Sequence, residues 1–331
     1  MLIDEFSSFE NKYLFEKKYD DFSYWVYSRY AIFSYLTKLQ EGIEMSSQKM
    51  TDGLICGIKN MIINSLRYRH KIKKIGHRDL LILNHERRVL KDGYYRCIYT
   101  EQIEEHYPNS VVLERPYFYK HLKPIQTERI FYSDCVELES LIYGFLECKL
   151  KAKKYRKAKK FFEKEMSIVA PEFQHMVKQE VSVEALSEML TRLYLLYCVK
   201  RKKFEKIIQK IQPKVILEVV SYNLDCMIFN EIAYEKKINT IELQHGVMSG
   251  SIAYYYPKNV LIKQFPQKVF LFSDYWKNCI SVPLEDKNVI SVGYPYFEEQ
   301  VKKYQKINCD KNKTTKVILF LSQWTIGENF S

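Results

Sequence analysis

Short apolar runs, each closed by polar residues, punctuate the middle of the chain. Residues 79–83, 96–100, 110–114 and 129–132 share this shape. Brief apolar runs of this kind suit strands buried on both faces. Their polar ends then emerge as loops at the carboxyl edge of a sheet, where open α/β folds bind ligands. Beyond residue 213 the pattern becomes βα in type. Residues 214–220 and 240–243 read as strands separated by a helix over 224–235, a crossover of the length a parallel βαβ unit needs. Residues 268–272 and 288–292 add two further strands.

Two stretches follow the helical period instead. In residues 20–75, Trp25, Val26, Tyr30, Phe33 and Leu36 recur at helical spacing, and 54–66 continues the pattern. Such a helix either packs on the core or lies on a membrane surface. Residues 134–211 are helical almost throughout, until Pro213 ends them. The expectation is an α/β fold with a parallel sheet over residues 1–301, carrying a helical insertion at 134–211. Residues 302–315, polar and rich in Lys and Asn, read as a linker, and 316–321 as a fresh strand. A lone strand cannot bury its two faces, so 316–331 reads as the start of a second domain that is mostly absent.

Composition narrows the partners. A chain of 331 residues, 47% apolar and 28% charged, builds a real core and is not globally disordered. Its formal charge of +12 draws phosphates, whether from nucleic acid, anionic lipid or a nucleotide-linked substrate. Eight basic residues concentrate in 149–160, as an anion-binding patch or as the solvated face of a long helix. The eight cysteines form no CxxC pair and no zinc-like spacing with histidine, so they read as reduced core thiols in cytoplasm. The first residues lack a signal-peptide core, and no apolar run reaches the ~18–20 residues a span needs.

The sharpest chemical signal is Gln244-His245-Gly246, directly after a predicted parallel strand. A glycine there lets the backbone turn tightly and brings amides close to a ligand, and the adjacent imidazole can serve as acid, base or phosphate donor. The alternative is a structural turn with a hydrogen-bonded histidine.

The segment 240–247 resembles the "QHG" loop of capsule and surface-polysaccharide glycosyltransferases. Tyr255-Tyr256-Pro257, Phe265-Pro266, Ser273-Asp274-Tyr275-Trp276-Lys277 and Val292-Gly293-Tyr294-Pro295-Tyr296-Phe297 follow in the order of that group. The last is similar to the turn with which GT-B glycosyltransferases leave their N-terminal domain, and the strand at 316–321 looks like the opening of the next. Upstream, Asn84-His85-Glu86-Arg87-Arg88, Asp92-Gly93-Tyr94-Tyr95 and Tyr99-Thr100-Glu101 look like an acceptor loop. The resemblance spans residues 79–323 and implies a Rossmann-like, acceptor-side N-terminal domain. It implies transfer of a sugar from a nucleotide sugar to a glycan or lipid-linked glycan, in cytoplasm or on the inner face of the plasma membrane, where the chain's basic charge would meet anionic lipid. It also implies that the donor site lies mainly in the second domain, so that this chain alone is inactive. By the same resemblance His245, with Gln244 and Gly246, lines a cleft between domains. His85, Arg88 and Asp92 face the acceptor, Asp92 as a base, and Tyr294 belongs to the substrate site. Asp134 is a further candidate carboxylate. No cofactor or metal is expected, in keeping with the lack of an Asp-x-Asp motif.

Two other readings stay open. A CDP-alditol phosphotransferase of the teichoic-acid kind also uses a His-Gly turn. A non-catalytic basic module would bind membrane or nucleic acid, but no RNP, GxxG or helix-turn-helix pattern supports nucleic acid. Walker A, GxGxxG, GxSxG and HExxH motifs are all missing.

Overall fold

The computed structural model describes residues 2–10, 15–42, 54–85, 88–116, 120–257 and 260–307. The chain divides into two compact units, Met1–Gly293 and Tyr294–Ser331.

The first unit opens with three helices, α1 (Leu2–Glu10), α2 (Tyr24–Gln40) and α3 (Leu54–Lys74). Strand β1 (Leu80–Leu83) follows, then a hairpin of β2 (Arg88–Lys91) and β3 (Tyr94–Cys97), and a short helix α4 (Glu101–His106). Strands β4 (Ser110–Glu114) and β5 (Ile130–Tyr132) precede three helices, α5 (Asp134–Lys149), α6 (Lys153–Val177) and α7 (Val183–Ile211). The unit ends with β6 (Val215–Glu218), α8 (Leu224–Lys236), β7 (Asn239–Leu243), β8 (Lys268–Leu271) and β9 (Val289–Ser291).

Seven of these strands form one parallel sheet in the order β5-β4-β1-β6-β7-β8-β9. The chain enters at β1, builds outward through β4 to β5, then returns over α5, α6 and α7 to lay β6 on the other side of β1. This is a Rossmann-like α/β arrangement, and its strand order reverses between β1 and β6. The helices 134–211 are therefore the return crossover of the sheet itself.

Both faces of the sheet are covered, which is why the strands read as unbroken apolar runs. Leu81, Leu83, Val111, Leu113, Phe131 and Ile216 face the large helical core. Ile82, Val112, Ile130, Tyr132, Leu217 and Leu243 face a smaller cluster completed by Tyr99, Ile103 and Ile125. Helix α2 belongs to the large core: Trp25, Ile32 and Leu36 have no exposure, so it is not a surface-lying membrane helix. Within α2, Arg29 is buried, forms an ion pair with Glu10 at 2.6 Å, and donates to the carbonyls of Ile252 and Tyr255 at 2.7 Å each. These bonds tie the N-terminal helices to the segment after β7.

The structure departs from the sequence reading in three places. Residues 96–100 do not form a strand of the parallel sheet; only 94–97 are extended, antiparallel to β2 and outside it. Asp92 and Gly93, expected in an acceptor loop, form the tip of that hairpin, with left-handed φ of 52° and 80°. An Asp-Gly pair favours this turn because both central residues must take positive φ. The expected linker begins as helix, since α9 (Pro295–Ile307) runs through residues 302–307. The rest of that linker and the strand expected at 316–321 lie outside the described residues. Among the described residues, no helix is long and apolar enough to cross a membrane.

Candidate functional site

Strand β7 delivers Gln244, His245 and Gly246 to the carboxyl edge of the sheet. Gln244 is buried and acts as a clamp. Its Oε1 accepts from the Phe272 N–H at 2.8 Å, and its Nε2 donates to the Gly246 carbonyl, also at 2.8 Å. One side chain thus joins the turn after β7 to the end of β8, so Gln244 holds the loop. Gly246 does not take positive φ, and a Cβ built there would meet no atom within 4 Å. The tight turn expected at this glycine is not what it provides; it leaves the surface beside His245 open.

His245 is half-buried, among aromatic rings from three other strand ends. The Tyr99 hydroxyl donates to the His245 carbonyl at 2.6 Å. Tyr222, in the loop after β6, brings its hydroxyl to 3.4 Å from His245 Nε2. His85, just past β1, stacks on the His245 ring with centroids 6.1 Å apart and planes inclined by 25°. The two histidines flank the position where the strand order reverses. Helix α8 begins at the same edge, where Asn223 caps it by accepting the Cys226 N–H at 3.0 Å.

Two carboxylates lie beneath this group. Glu218 ends β6, Glu242 is the penultimate residue of β7, and the two are register partners. Both have no exposure. Glu218 Oε1 accepts from Asn230 Nδ2 at 2.8 Å. Glu242 Oε1 accepts from the Ser221 N–H at 3.0 Å and the Tyr254 hydroxyl at 2.7 Å. Burial, reinforced by the charge of Glu242, pushes the Glu218 carboxyl up to about 8. Burial pushes Glu242 to about 7, against the opposing pull of Ser221 and Tyr254. Through Ser221, Glu242 also fixes the loop that carries Tyr222.

Arg88 and Asp134 belong to a different network. Arg88 is withdrawn from solvent: its guanidinium pairs with Glu114 and donates to the Tyr95 carbonyl at 3.1 Å. Glu114, the last residue of β4, also accepts from Asn84 Nδ2 at 3.0 Å. His121 bridges Glu114 and Asp134, with Nδ1 at 2.9 Å from the first and Nε2 at 2.8 Å from the second. Burial opposes protonation of His121, but hydrogen bonds to Asp134 and Glu114 outweigh it and raise its pKa. Arg88 and Asp134 thus serve as buried ion-pair partners rather than an acceptor-facing cation and a free carboxylate.

A third group surrounds Lys200 of α7, which bonds Glu137 at 2.6 Å and Asp225 at 2.7 Å. Burial is the main cause lifting Glu137 to about 7. Asp225 also lines a small cavity with Asn84, Arg115, Ser133 and Asn223, at the crevice where the strand order reverses. A cavity of about 670 Å³ lies elsewhere, lined by Val260 and residues within 277–289, and no histidine lines it.

Of the residues expected in the site, His245, Gln244, Gly246 and His85 come together. Asp92 sits exposed at the hairpin tip, and Arg88 turns inward. Tyr294 opens the second compact unit, where its ring stacks on Phe297 at 6.4 Å. Tyr99 lay in the expected acceptor loop, but its contact with His245 was not foreseen; nor were Tyr222 and the pair Glu218 and Glu242. A strand-end glutamate beside a polar loop was the available signal for the pair. Among the described residues, no cluster of three or more His, Cys, Asp or Glu could hold a metal ion. Compared with protein-family models, curated proteins and solved structures, the chain finds no match.

Proposed function

We propose that this chain carries the acceptor-side domain of a glycosyltransferase of the GT-B, surface-polysaccharide kind. It moves a sugar from a nucleotide donor to a hydroxyl of a glycan or lipid-linked glycan. The observation that carries this reading is the stacking of His245 on His85, each at the carboxyl end of its strand, beside the reversal in strand order. In open α/β sheets that crevice is the place ligands use. An acceptor hydroxyl is a weak nucleophile, and an imidazole at a strand end can take its proton as the new C–O bond forms. Tyr99 and Tyr222 add ring faces and hydroxyls, a combination suited to sugars. The open surface over Gly246 leaves room for a ligand to approach the backbone.

The resemblance of 240–247 to the "QHG" loop supports sugar transfer; a CDP-alditol phosphotransferase also uses a His-Gly turn, so the test sets the two against each other. The test is to supply the full-length protein with a panel of nucleotide sugars and, in parallel, CDP-alditols. Release of nucleoside diphosphate dependent on a glycan acceptor supports the proposal. Turnover of CDP-alditols alone assigns the site to phosphotransfer instead.

A further inference from the structure

Helix α5 turns its apolar side outward. Leu141, Ile142, Phe145 and Leu146 are all exposed, Phe145 at 62%, and Leu150 just beyond the helix reaches 72%. Its opposite side packs inward through Val136 and Ser140. Helix α3 packs on α5 and behaves alike: Ile58, Ile62, Ile63 and Leu66 are exposed, the last at 71%, while Met61 is buried. Two neighbouring helices with apolar outer sides form a patch of a kind that soluble monomers seldom leave uncovered.

The patch has a basic border. Lys149, Lys151, Lys153, Arg156, Lys157 and Lys160 are exposed where α5 ends and α6 begins. Lys149 and Lys151 bracket the exposed Leu150, and the Lys149 ammonium lies 5.5 Å from the Phe145 ring centroid. Lys59 and Arg67 add exposed positive charge on α3. The basic run of 149–160 therefore adjoins an apolar surface.

We propose that the outer sides of α3 and α5, with the start of α6, dock on an anionic lipid bilayer. The apolar side chains enter the boundary between headgroups and acyl chains, and the cations meet lipid phosphates. Charge selects this occupant. Pairing with a second copy through the same patch would bring basic borders together, whereas an anionic bilayer complements them.

Flotation of the full chain with vesicles tests the proposal. Vesicles of phosphatidylcholine containing about 30 mol% phosphatidylglycerol should bind about tenfold more protein than phosphatidylcholine alone, and raised salt should weaken the binding. Two double variants at exposed positions separate the contributions: Phe145→Ser with Leu150→Ser, and Lys149→Glu with Lys151→Glu. Each should lower partitioning about tenfold, with circular dichroism unchanged. Equal binding to both vesicle types, or to neither, overturns the proposal. So does wild-type partitioning by the apolar variant, which would reduce the effect to charge attraction. A dimer on gel filtration that the apolar variant dissociates would reassign the patch to self-association.

Discussion

Glu218 and Glu242 stand side by side on adjacent parallel strands, both without exposure, each with one carboxylate oxygen lacking a hydrogen-bond partner among the described residues. Burial disfavours the charge on both, and the charge of Glu242 adds to this at Glu218, so at least one proton is retained near neutrality.

Stability follows from that proton. Both carboxyls titrate above the ordinary 4.5, at about 8 for Glu218 and about 7 for Glu242. A raised folded-state pKa contributes stability that is full below the unfolded value and is lost as pH rises through the folded value. Between about pH 4.5 and about pH 8 the folded protein loses on the order of a few kcal/mol from this pair. Glu218→Gln and Glu242→Gln should each flatten that slope and be neutral or stabilising at its upper end. Urea denaturation across the window checks this; a wild-type slope in both variants contradicts it.

His121 is a buried cation whose contribution also falls as pH rises. Its two nitrogens face Glu114 and Asp134 in a buried setting, so His121→Phe leaves the buried Asp134 without its cation and Glu114 with Arg88 alone. A loss of about 3–5 kcal/mol is expected in chemical denaturation. The stability owed to this raised histidine is present below its ordinary 6.5 and is lost as pH rises through the higher folded value. The destabilisation by His121→Phe should therefore shrink on the alkaline side.

Asp92 is a turn residue. Asp92→Asn keeps a side chain that tolerates the left-handed conformation, so stability should change by less than about 0.5 kcal/mol. Transfer activity of the full-length protein should stay within about twofold. Gly93→Ala, at φ 80°, should cost about 1 kcal/mol or more by thermal denaturation.

Tyr99 positions the histidine loop. Tyr99→Phe removes the donor to the His245 carbonyl and keeps the ring, so about 1 kcal/mol of stability should be lost. If the loop geometry matters, kcat falls while KM for the donor stays near its original value. Equal kinetics in the variant would assign Tyr99 to packing alone.

What could be read from the chain beforehand follows the physics of burial. Strands β1, β4, β6 and β7 were legible because cover on both faces leaves unbroken apolar runs, as in Leu80–Leu83. The hairpin was missed although Asp92-Gly93 announces it, because its flanking residues invert the usual pattern: the charged Arg88 is buried and the apolar Leu90 exposed. Glu114 read as the polar end of an apolar run, and Glu218 and Glu242 lay inside runs that read as strands. Their burial depends on partners far away in sequence, such as Arg88, His121, Asn230 and Tyr254, and local pattern cannot reveal such partners. His245 was legible from its place after a strand and His85 from the resemblance of its loop, but that the two rings meet follows only from the order of strands in the sheet.

The most direct measurement is the rate of acceptor-dependent sugar transfer by the full-length protein carrying His245→Ala, at saturating donor, beside circular dichroism and denaturation of the same variant. A partly buried imidazole just past a strand end, outside the apolar core, can be removed without unfolding the sheet, so the fold should remain. The account predicts a loss of about 10²–10⁴ in kcat, with His85→Ala also impaired. Wild-type turnover by the folded His245→Ala variant would contradict it.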